Sequence, residues 1–371
     1  QNPPVNALGH AVRQGLVDGI ARAEADGAKA VLIYGEGTTF FAGADIREFG
    51  QTPKEPHLPD VCNAIEASPL IVVSALHGTA LGGGMEIALS THYRIAVPKA
   101  RMGLPEVNLG LIPGATGTQR LPRLIGVEKA IDIVTSGRQL GAKDLLDMGV
   151  IDRIADGAPR EIGLAYAQEL LEANAPRRAV SEMPAPAPID FDAAYEATLK
   201  KGRGLLAPAY GVRAVQAACE LPFAEGVARE RALFRELMET DQRQGMIHAF
   251  FSERQVSKLP ELKGVDPRPL NSIGVIGGGT MGAGIATAAL LAGLPVVMIE
   301  MTPEAAAAAK DRIAGNLQGA VKRGRIDQAK FETLTEKALT PSNDYAVDMF
   351  ESSVAGLGGC PFAGHGHARA A

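Results

Sequence analysis

The first 155 residues repeat one rhythm, in which a short apolar run ends near a glycine and a helical pattern follows. The runs cover 28–34, 70–76 and 93–97 and are rich in β-branched residues, so each is predicted as a buried strand. The helical patterns around them cover 10–25, 84–91, 127–135 and 142–148. Strands that alternate with helices predict an α/β architecture with covered sheets.

Beyond residue 155 the strand pattern disappears. A helical segment over 162–174 precedes a Pro/Ala stretch at 184–188, which is typical of a stiff linker or loop. Residues 192–257 are predicted to be helical throughout, with an apolar stripe that should pack against other helices. Four residues of this stripe share one helix face: Val227, Phe234, Leu237 and Met238.

The strand pattern returns at residue 272 in a different form. A predicted strand is followed at once by a glycine-rich turn and a helix, and a second predicted strand ends at Glu300. The glycines of the turn are Gly277, Gly279 and Gly282. A G-x-G-x-x-G turn between a strand and a helix, followed by an acid about 20 residues later, is typical of a βαβ dinucleotide site. We therefore predict the start of a Rossmann unit, with NAD as the cofactor that it could bind.

The composition excludes several classes of protein. A net charge of −5 without a Lys/Arg run argues against a nucleic-acid partner. Three scattered cysteines provide no disulfide framework, and His365 and His367 stand alone in a Gly/Ala-rich tail, so no metal is expected. No apolar run approaches the roughly 18 residues of a membrane span, and no signal peptide is visible. Because Gln1 stands directly beside a turn, we expect a preceding N-terminal segment.

Two further glycine turns carry candidate chemistry. The first, over 42–46, leaves backbone N–H groups open to a ligand, although an ordinary tight turn with a capping aspartate is the simpler explanation. The second, Gly82-Gly83-Gly84-Met85-Glu86, follows a predicted strand and opens a helix. Its N–H groups and the helix dipole could polarise a carbonyl beside Glu86, and close glycine packing explains the pattern equally well.

Glu106 follows Pro105 in a turn-rich segment that continues to Gly117. A single glutamate in such a loop is most often solvated. Nothing in the local pattern brings it next to Glu86, twenty residues earlier.

Several motifs together resemble the enoyl-CoA hydratase/isomerase (crotonase) family over about residues 2–180. They are FFAGADIREF, LGGGMEIAL and LPEVNLGLIPGATGTQRL, with NAL near the start and SGRQLGAKDLLDMGVID after them. The resemblance implies a spiral of ββα units and an acyl-CoA thioester substrate. It also implies an oxyanion hole from the backbone N–H groups of Ala44 and Gly83, and Glu86 and Glu106 as catalytic glutamates that need no cofactor for hydration.

The later segments resemble other enzymes of fatty-acid metabolism. SIGVIGGGTMGAGIA resembles the NAD-binding start of 3-hydroxyacyl-CoA dehydrogenases, and FFSER resembles the linker of multifunctional β-oxidation enzymes. The dehydrogenase His–Glu pair of that family has no counterpart here, so dehydrogenase activity is not expected and NAD binding should be weak or absent. The tail around Cys360 resembles a loop of hydroxymethylglutaryl-CoA lyases without their barrel, so we expect an unsupported thiol and a recombined junction near residue 346.

These features predict four regions. They are a crotonase-type hydratase domain at 1–190, a helical linker region at 191–268, an incomplete NAD-binding Rossmann unit at 269–346 and an unrelated, disordered tail at 347–371. The predicted function is hydration of 2-trans-enoyl-CoA, with a 3-enoyl to 2-enoyl-CoA isomerase or a non-catalytic acyl-CoA or NAD binder as alternatives. Such a protein is expected in the bacterial cytoplasm or in a eukaryotic peroxisome or mitochondrion, and not outside the cell. Acyl chain length and oligomeric state stay open.

Overall fold

The computed structural model describes residues 2, 5–45, 48, 52, 54–256, 259–266 and 269–337. They fall into two compact units, of which the first runs to Pro260 and the second starts at Glu261. The helices predicted over 191–257 thus belong to the same compact unit as the residues before them. The tail over 347–371, with Cys360, His365 and His367, lies outside the described residues.

The strands of the first unit build two sheets in the described part of the chain. They are β1 (Ala30–Tyr34), β2 (Ile71–Leu76), β3 (Thr79–Leu81), β4 (Tyr93–Ala96), β5 (Arg101–Gly103), β6 (Gln139–Gly141) and β7 (Arg153–Ile154). One sheet is parallel with the order β1-β2-β4-β7, and the other has the order β3-β5-β6. In this second sheet β5 pairs parallel with β3 and antiparallel with β6.

The two strands of each ββα unit enter different sheets, and this creates the spiral. β2 belongs to the first sheet with the register Ala30↔Ile71, while β3 begins three residues after its end and belongs to the second sheet. β4 and β5 divide in the same way, with Val73↔Tyr93 setting the register of β4. Each ββα unit therefore adds one strand to each sheet, which confirms the predicted crotonase-type spiral.

Eleven helices surround and fill these sheets in the described part of the first unit. They are α1 (His10–Ala25), α2 (Leu58–Ala67), α3 (Gly83–Ser90), α4 (Gly117–Ile125), α5 (Val127–Ser136), α6 (Ala142–Asp147), α7 (Pro159–Glu172), α8 (Phe191–Lys201), α9 (Leu206–Glu220), α10 (Phe223–Met238) and α11 (Asp241–Val256). Short 3-10 turns cover Pro105–Leu109, Val180–Glu182 and Pro260–Leu262.

Helix α3 is buried along its whole length, from Gly83 to Ser90. Apart from Glu86 and Ser90 its side chains are apolar or absent, and a helix that is apolar on all sides is stable only inside a core. Ser90 satisfies its hydroxyl by donating to the Glu86 carbonyl at 2.8 Å. Glu86 is thus the ionisable side chain that this helix carries into the interior.

Helices α9 and α10 cover the segment that contains Glu106. Val107, Leu111 and Ile112 form a cluster with Leu233 and Leu237 of α10, and Ala207 and Ala214 of α9 complete it. Phe234 and Met238 pack against the same cluster, as the apolar stripe predicts. The helical region therefore forms one wall around the loop that follows β5.

A buried ion pair joins α2 to α4. Arg120 Nη2 lies 2.6 Å from Glu66 Oε2, and Arg120 Nε donates to Glu66 Oε1 at 3.1 Å. The side chains are 0% and 6% exposed, so water does not screen the pair. Burial alone would raise the pKa of Glu66, but the Arg120 guanidinium and the Ser181 donors lower it. The pair fixes α4, whose first residues lie beside Glu86.

The second unit has the predicted βαβ order. β8 (Ile273–Ile276) pairs parallel with β9 (Val296–Ile299), and α12 (Thr280–Leu291) connects them. Two more helices follow, α13 (Pro303–Lys322) and α14 (Gln328–Lys337). Apolar residues of α12 and α13, among them Ala286 and Ile313, form the core of this unit with β8 and β9.

The strand and helix predictions hold for the longer elements. The predicted strands at 28–34, 70–76 and 93–97 correspond to β1, β2 and β4, whereas β3, β5, β6 and β7 were not predicted. These have two or three residues each, which is too short for a recognisable alternation. None of the helices in the described ranges combines the length and apolar character needed to traverse a lipid bilayer.

We predict that Arg120→Leu destabilises the first unit strongly, because it leaves the Glu66 carboxylate buried without its main partner. Removing one member of a buried pair typically costs about 3–5 kcal/mol of unfolding free energy. Arg138→Leu is the matched control, since Arg138 and Asp132 form an exposed pair, 44% and 48% exposed, worth at most about 1 kcal/mol. Urea unfolding followed by circular dichroism measures both, and equal losses would contradict the expectation.

Candidate active site

The two glycine turns at 42–45 and 82–86 touch through their backbones. Leu81 N–H donates to the Phe41 carbonyl at 3.1 Å. A Cβ added to Gly84 would lie 2.1 Å from that carbonyl oxygen, and one added to Gly83 would lie 3.9 Å from the Ala44 nitrogen. Because only glycine permits this approach, the small residues of both turns bring the predicted donors Ala44 and Gly83 close together.

The N–H groups of Ala44 and Gly83 are open to a ligand. Within the described residues, neither donates a hydrogen bond to another protein atom. Gly83 is the first residue of α3, where the partial positive charge of the helix dipole gathers. The preceding Gly82 has φ 53° and donates its own N–H to Gly103 at 2.8 Å, which fixes the turn. Two free donors placed in this way can stabilise negative charge on a carbonyl oxygen.

Glu86 is held by a turn at the start of α4. Its Oε1 accepts the N–H groups of Ala115 at 2.7 Å and Gly117 at 2.8 Å. Burial raises the pKa of Glu86 to about 7, while these two N–H donors and the charge of Arg120 act in the opposite direction. The two donors stabilise the ionised form, so Glu86 is suited to accept a proton near neutral pH.

Glu106 lies in the 3-10 turn after β5, and its carboxyl group lies next to Gly82 in the second glycine turn. A Cβ added to Gly82 would lie 2.7 Å from Glu106 Oε1. Glu106 Oε2 is buried and has no hydrogen-bond partner among the described residues. Burial and then the charge of Glu86 raise its pKa well above the usual value, which favours the protonated form of the carboxyl group. The structure thus brings together the two glutamates that the local sequence pattern leaves apart.

A third buried carboxylate, Glu230 of α10, was not predicted. It is 1% exposed, and burial followed by the charge of Glu86 raises its pKa to about 8. A sequence signal existed, since Glu230 stands three residues after Val227 and four before Phe234, on the apolar stripe. A charged residue at such a position is buried only with partners, which local spacing does not identify.

In the second unit, the glycine turn precedes α12 as predicted. A Cβ added to Gly282 would lie 1.7 Å from the Gly277 carbonyl oxygen, so this close turn requires glycine, and Gly279 directly precedes the helix. Glu300 Oε1 accepts the Gly278 N–H at 2.5 Å. The residues fit a pyrophosphate-binding turn, while the acid expected to face a ribose is bonded to the turn itself.

The arrangement in the first unit combines three functions within one buried region. Two N–H groups can receive a developing oxyanion, Glu86 can accept a proton, and Glu106 can supply one. No group of three or more His, Cys, Asp or Glu side chains in the described ranges is placed to hold a metal ion.

The fold of the first unit is of the crotonase type, and comparisons with known proteins agree. Residues 1–183 match the family model described as enoyl-CoA hydratase/isomerase, and residues 272–353 match the 3-hydroxyacyl-CoA dehydrogenase NAD-binding domain. The first part of the chain therefore belongs to the enoyl-CoA hydratase/isomerase family, and the later segment to the NAD-binding domains of 3-hydroxyacyl-CoA dehydrogenases. The second match ends at residue 353, seven residues beyond the predicted junction near residue 346.

Several similar proteins are named as bifunctional or multifunctional. A peroxisomal bifunctional enzyme of Danio rerio is 40% identical over 332 residues, which cover 87% of this chain and 46% of that protein. A peroxisomal fatty acid beta-oxidation multifunctional protein of Arabidopsis thaliana is 35% identical over 349 residues, covering 89% and 48%. The chain thus spans about half the length of these relatives. Among solved structures, carnitinyl-CoA hydratase from Mycobacterium avium is 29% identical with a TM-score of 0.50, covering 67% of this chain and 88% of that one.

We predict that Glu106 carries a protonated carboxyl group at pH 7, because its buried Oε2 lacks a donor that would favour ionisation. The infrared difference spectrum of the parent minus Glu106→Gln at that pH should show the carbonyl stretch of a protonated acid, whereas Glu86 and Glu230, whose pKa values are raised to about 7 and about 8, absorb in both proteins. The exposed Glu128 provides the matched control, and Glu128→Gln should leave the band unchanged. A spectrum without this band in the parent protein would contradict the assignment.

Proposed function

We propose that the first unit adds water to 2-trans-enoyl-CoA thioesters and forms 3-hydroxyacyl-CoA. The observation that carries this proposal is the pair of glutamates in opposite environments, one bonded to two amides and one with a bare buried oxygen. Beside them lie two N–H groups without a partner in the described structure. The family match over residues 1–183 supports the same activity.

In this proposal the thioester carbonyl oxygen lies between the N–H groups of Ala44 and Gly83. Addition of a hydroxyl to C3 moves electrons to this oxygen and produces an enolate. Two fixed donors stabilise that charge without reorganising at the moment of reaction, and one such donor typically contributes about 100- to 1,000-fold in rate.

The two glutamates divide the proton transfers. Ionised Glu86 takes a proton from water while the water oxygen bonds to C3, and Glu106 gives its proton to C2 as the enolate collapses. Two close carboxyl groups resist double ionisation, which supports one shared proton in the resting pair. After the reaction the proton has moved from Glu106 to Glu86, and its return through solvent restores the starting state.

The proposal places the chain in fatty-acid β-oxidation, as the names of its relatives suggest. Those names also favour a peroxisomal location over a mitochondrial or cytosolic one if the organism is eukaryotic. The alternative of a 3-enoyl to 2-enoyl-CoA isomerase needs only one glutamate as proton carrier, whereas two are present here. A protein that only binds acyl-CoA would not need two neighbouring glutamates, Glu86 and Glu106, with different affinities for a proton.

We expect Glu86→Gln and Glu106→Gln each to lower kcat for crotonyl-CoA hydration by about 100- to 10,000-fold, the usual contribution of a general acid or base. The assay follows the loss of the conjugated-thioester ultraviolet absorbance. Glu128→Gln, at an exposed position, should keep the parent rate. A folded parent without turnover would favour the binding role, and turnover that survives both substitutions would exclude this mechanism.

For the second unit we propose at most weak NAD binding by the described residues, through the turn of Gly277, Gly279 and Gly282. The described part contributes a two-stranded sheet, and Glu300 Oε1 already accepts the Gly278 N–H, which orients the carboxylate towards the turn. When bound, NAD would supply a hydride acceptor, but no residue here is assigned to that transfer.

Titration with NADH, followed by its fluorescence, tests this expectation. We expect no saturable signal at micromolar concentrations, and Gly282→Ala should change nothing in that range. Micromolar affinity that Gly282→Ala abolishes would show instead that the turn binds the cofactor tightly, since the added Cβ meets the Gly277 carbonyl.

A further inference from the structure

We propose that Glu230 is a positioning residue for Glu86 and acts through the turn at 115–118. It does not touch the substrate in this proposal; it fixes the backbone that holds the Glu86 carboxylate. The inference rests on the proposed hydration and adds to it a residue from the helical region that follows the predicted crotonase segment.

The evidence is an alternation of amide donors along one turn. Ala115 and Gly117 donate to Glu86 Oε1 at 2.7 and 2.8 Å. The intervening Thr116 N–H donates to Glu230 Oε1 at 2.7 Å, and the Thr118 N–H donates to Glu230 Oε2 at 3.0 Å. Successive N–H groups thus point to two carboxylates on opposite sides of the chain. If the turn moved towards one carboxylate, the amide hydrogen bonds to the other carboxylate would break.

The turn needs such support because its backbone is unusual. Thr116 has φ 83°, in the left-handed region that is unfavourable for a β-branched residue, and it is fully buried. Its conformation persists only where surrounding contacts impose it. The Thr118 hydroxyl supplies a third donor to Glu230 Oε2 at 2.5 Å, so the carboxylate holds both sides of the strained residue.

Helix α10 is placed to bring Glu230 to this turn. A Cβ added to Gly226, four residues before Glu230, would lie 2.3 Å from Gln119 Oε1. Gln119 in turn donates to the Thr118 hydroxyl at 2.9 Å and to the Ala214 carbonyl of α9 at 2.8 Å. The close packing of α10, α4 and α9 therefore sets the position of the carboxylate relative to the turn.

Loss of this support should change the protonation of Glu86. Burial raises the pKa of Glu86, and the Gly117 and Ala115 donors are the largest influences that lower it. The titratable and charged groups that face it from neighbouring elements are Cys62, Glu106, Arg120, Glu230 and Arg231. The two amides are the largest influences that lower this pKa, so a loosened turn should raise the pKa of Glu86. Glu230 has a pKa raised to about 8 and is mostly protonated near pH 7, so its substitution removes little charge.

The experiment compares Glu230→Gln with Glu225→Gln, an exposed position on the same helix. In the parent, kcat for crotonyl-CoA should fall as the pH drops through about 7, where Glu86 becomes protonated. We expect Glu230→Gln to lower kcat by about 10- to 100-fold, as for a misplaced catalytic group, with little change in KM. The fall of kcat at low pH (the acid limb of the profile) should move to higher pH in Glu230→Gln. Glu225→Gln should match the parent in kcat, in KM and in the position of the acid limb.

A double variant separates positioning from a general loss of structure. If Glu230 acts through Glu86, then Glu230→Gln should cause little further loss of kcat in the Glu86→Gln background. Thr118→Val removes the hydroxyl that donates to Glu230 and accepts from Gln119, and leaves the two amide donors to Glu230 in place. It should shift the acid limb in the same direction by a smaller amount, and it serves if Glu230→Gln does not fold. Additive losses in the double variant would overturn the proposal.

The remaining outcomes are also distinguishable. Parent-like turnover and pH profile in Glu230→Gln would overturn the role of Glu230 and leave the hydration proposal intact. If the parent shows no turnover, the hydration proposal fails, and infrared titration of the Glu86 carboxyl then decides the positioning role. A raised pKa of Glu86 in Glu230→Gln supports the role, and an unchanged or lowered one excludes it.

Discussion

The burial of three neighbouring carboxyl groups, Glu86, Glu106 and Glu230, is the constraint on which the site depends. An isolated ionised carboxylate is costly in a protein interior, so each must share its charge with donors or keep a proton. Glu86 and Glu230 divide the N–H groups of 115–118 between them, whereas Glu106 has a buried oxygen without a partner. Neighbouring groups of one chemical type thereby acquire different affinities for a proton. This difference is what acid–base chemistry at neutral pH requires.

The fold places these groups through a close contact between the backbones of the two glycine turns, and not through contacts between side chains. Glycine at 84 lets α3 approach the Phe41 carbonyl, and this approach brings the free N–H groups of Ala44 and Gly83 together. The fully buried α3 then carries Glu86 inward, and the ion pair of Arg120 and Glu66 anchors α4, which begins with the turn that holds it. Stability and candidate chemistry therefore share the same contacts.

The helices after residue 190 contribute residues to the candidate site, which a linker would not do. α9 and α10 belong to the first compact unit, and their apolar cluster closes over the loop that contains Glu106. α10 also supplies Glu230, more than a hundred residues away in sequence from the turn that it bonds. The second unit has its own core and its own glycine turn, in which Glu300 already accepts an amide of that turn.

The sequence by itself determined the local elements and the candidate chemistry. Apolar runs, glycine spacing and caps depend on near neighbours, so β1, β2, β4, the βαβ order of the second unit and the glycine turns were predictable. Family motifs identified Ala44, Gly83, Glu86 and Glu106 as one set, although no local pattern joins them. Only the tertiary structure decided that Glu106 faces Gly82 and that Glu230 reaches the turn at 115–118. Burial and hydrogen-bond partners arise from contacts between distant segments, and the proton affinity of a carboxylate follows from those contacts and not from its neighbours in the chain.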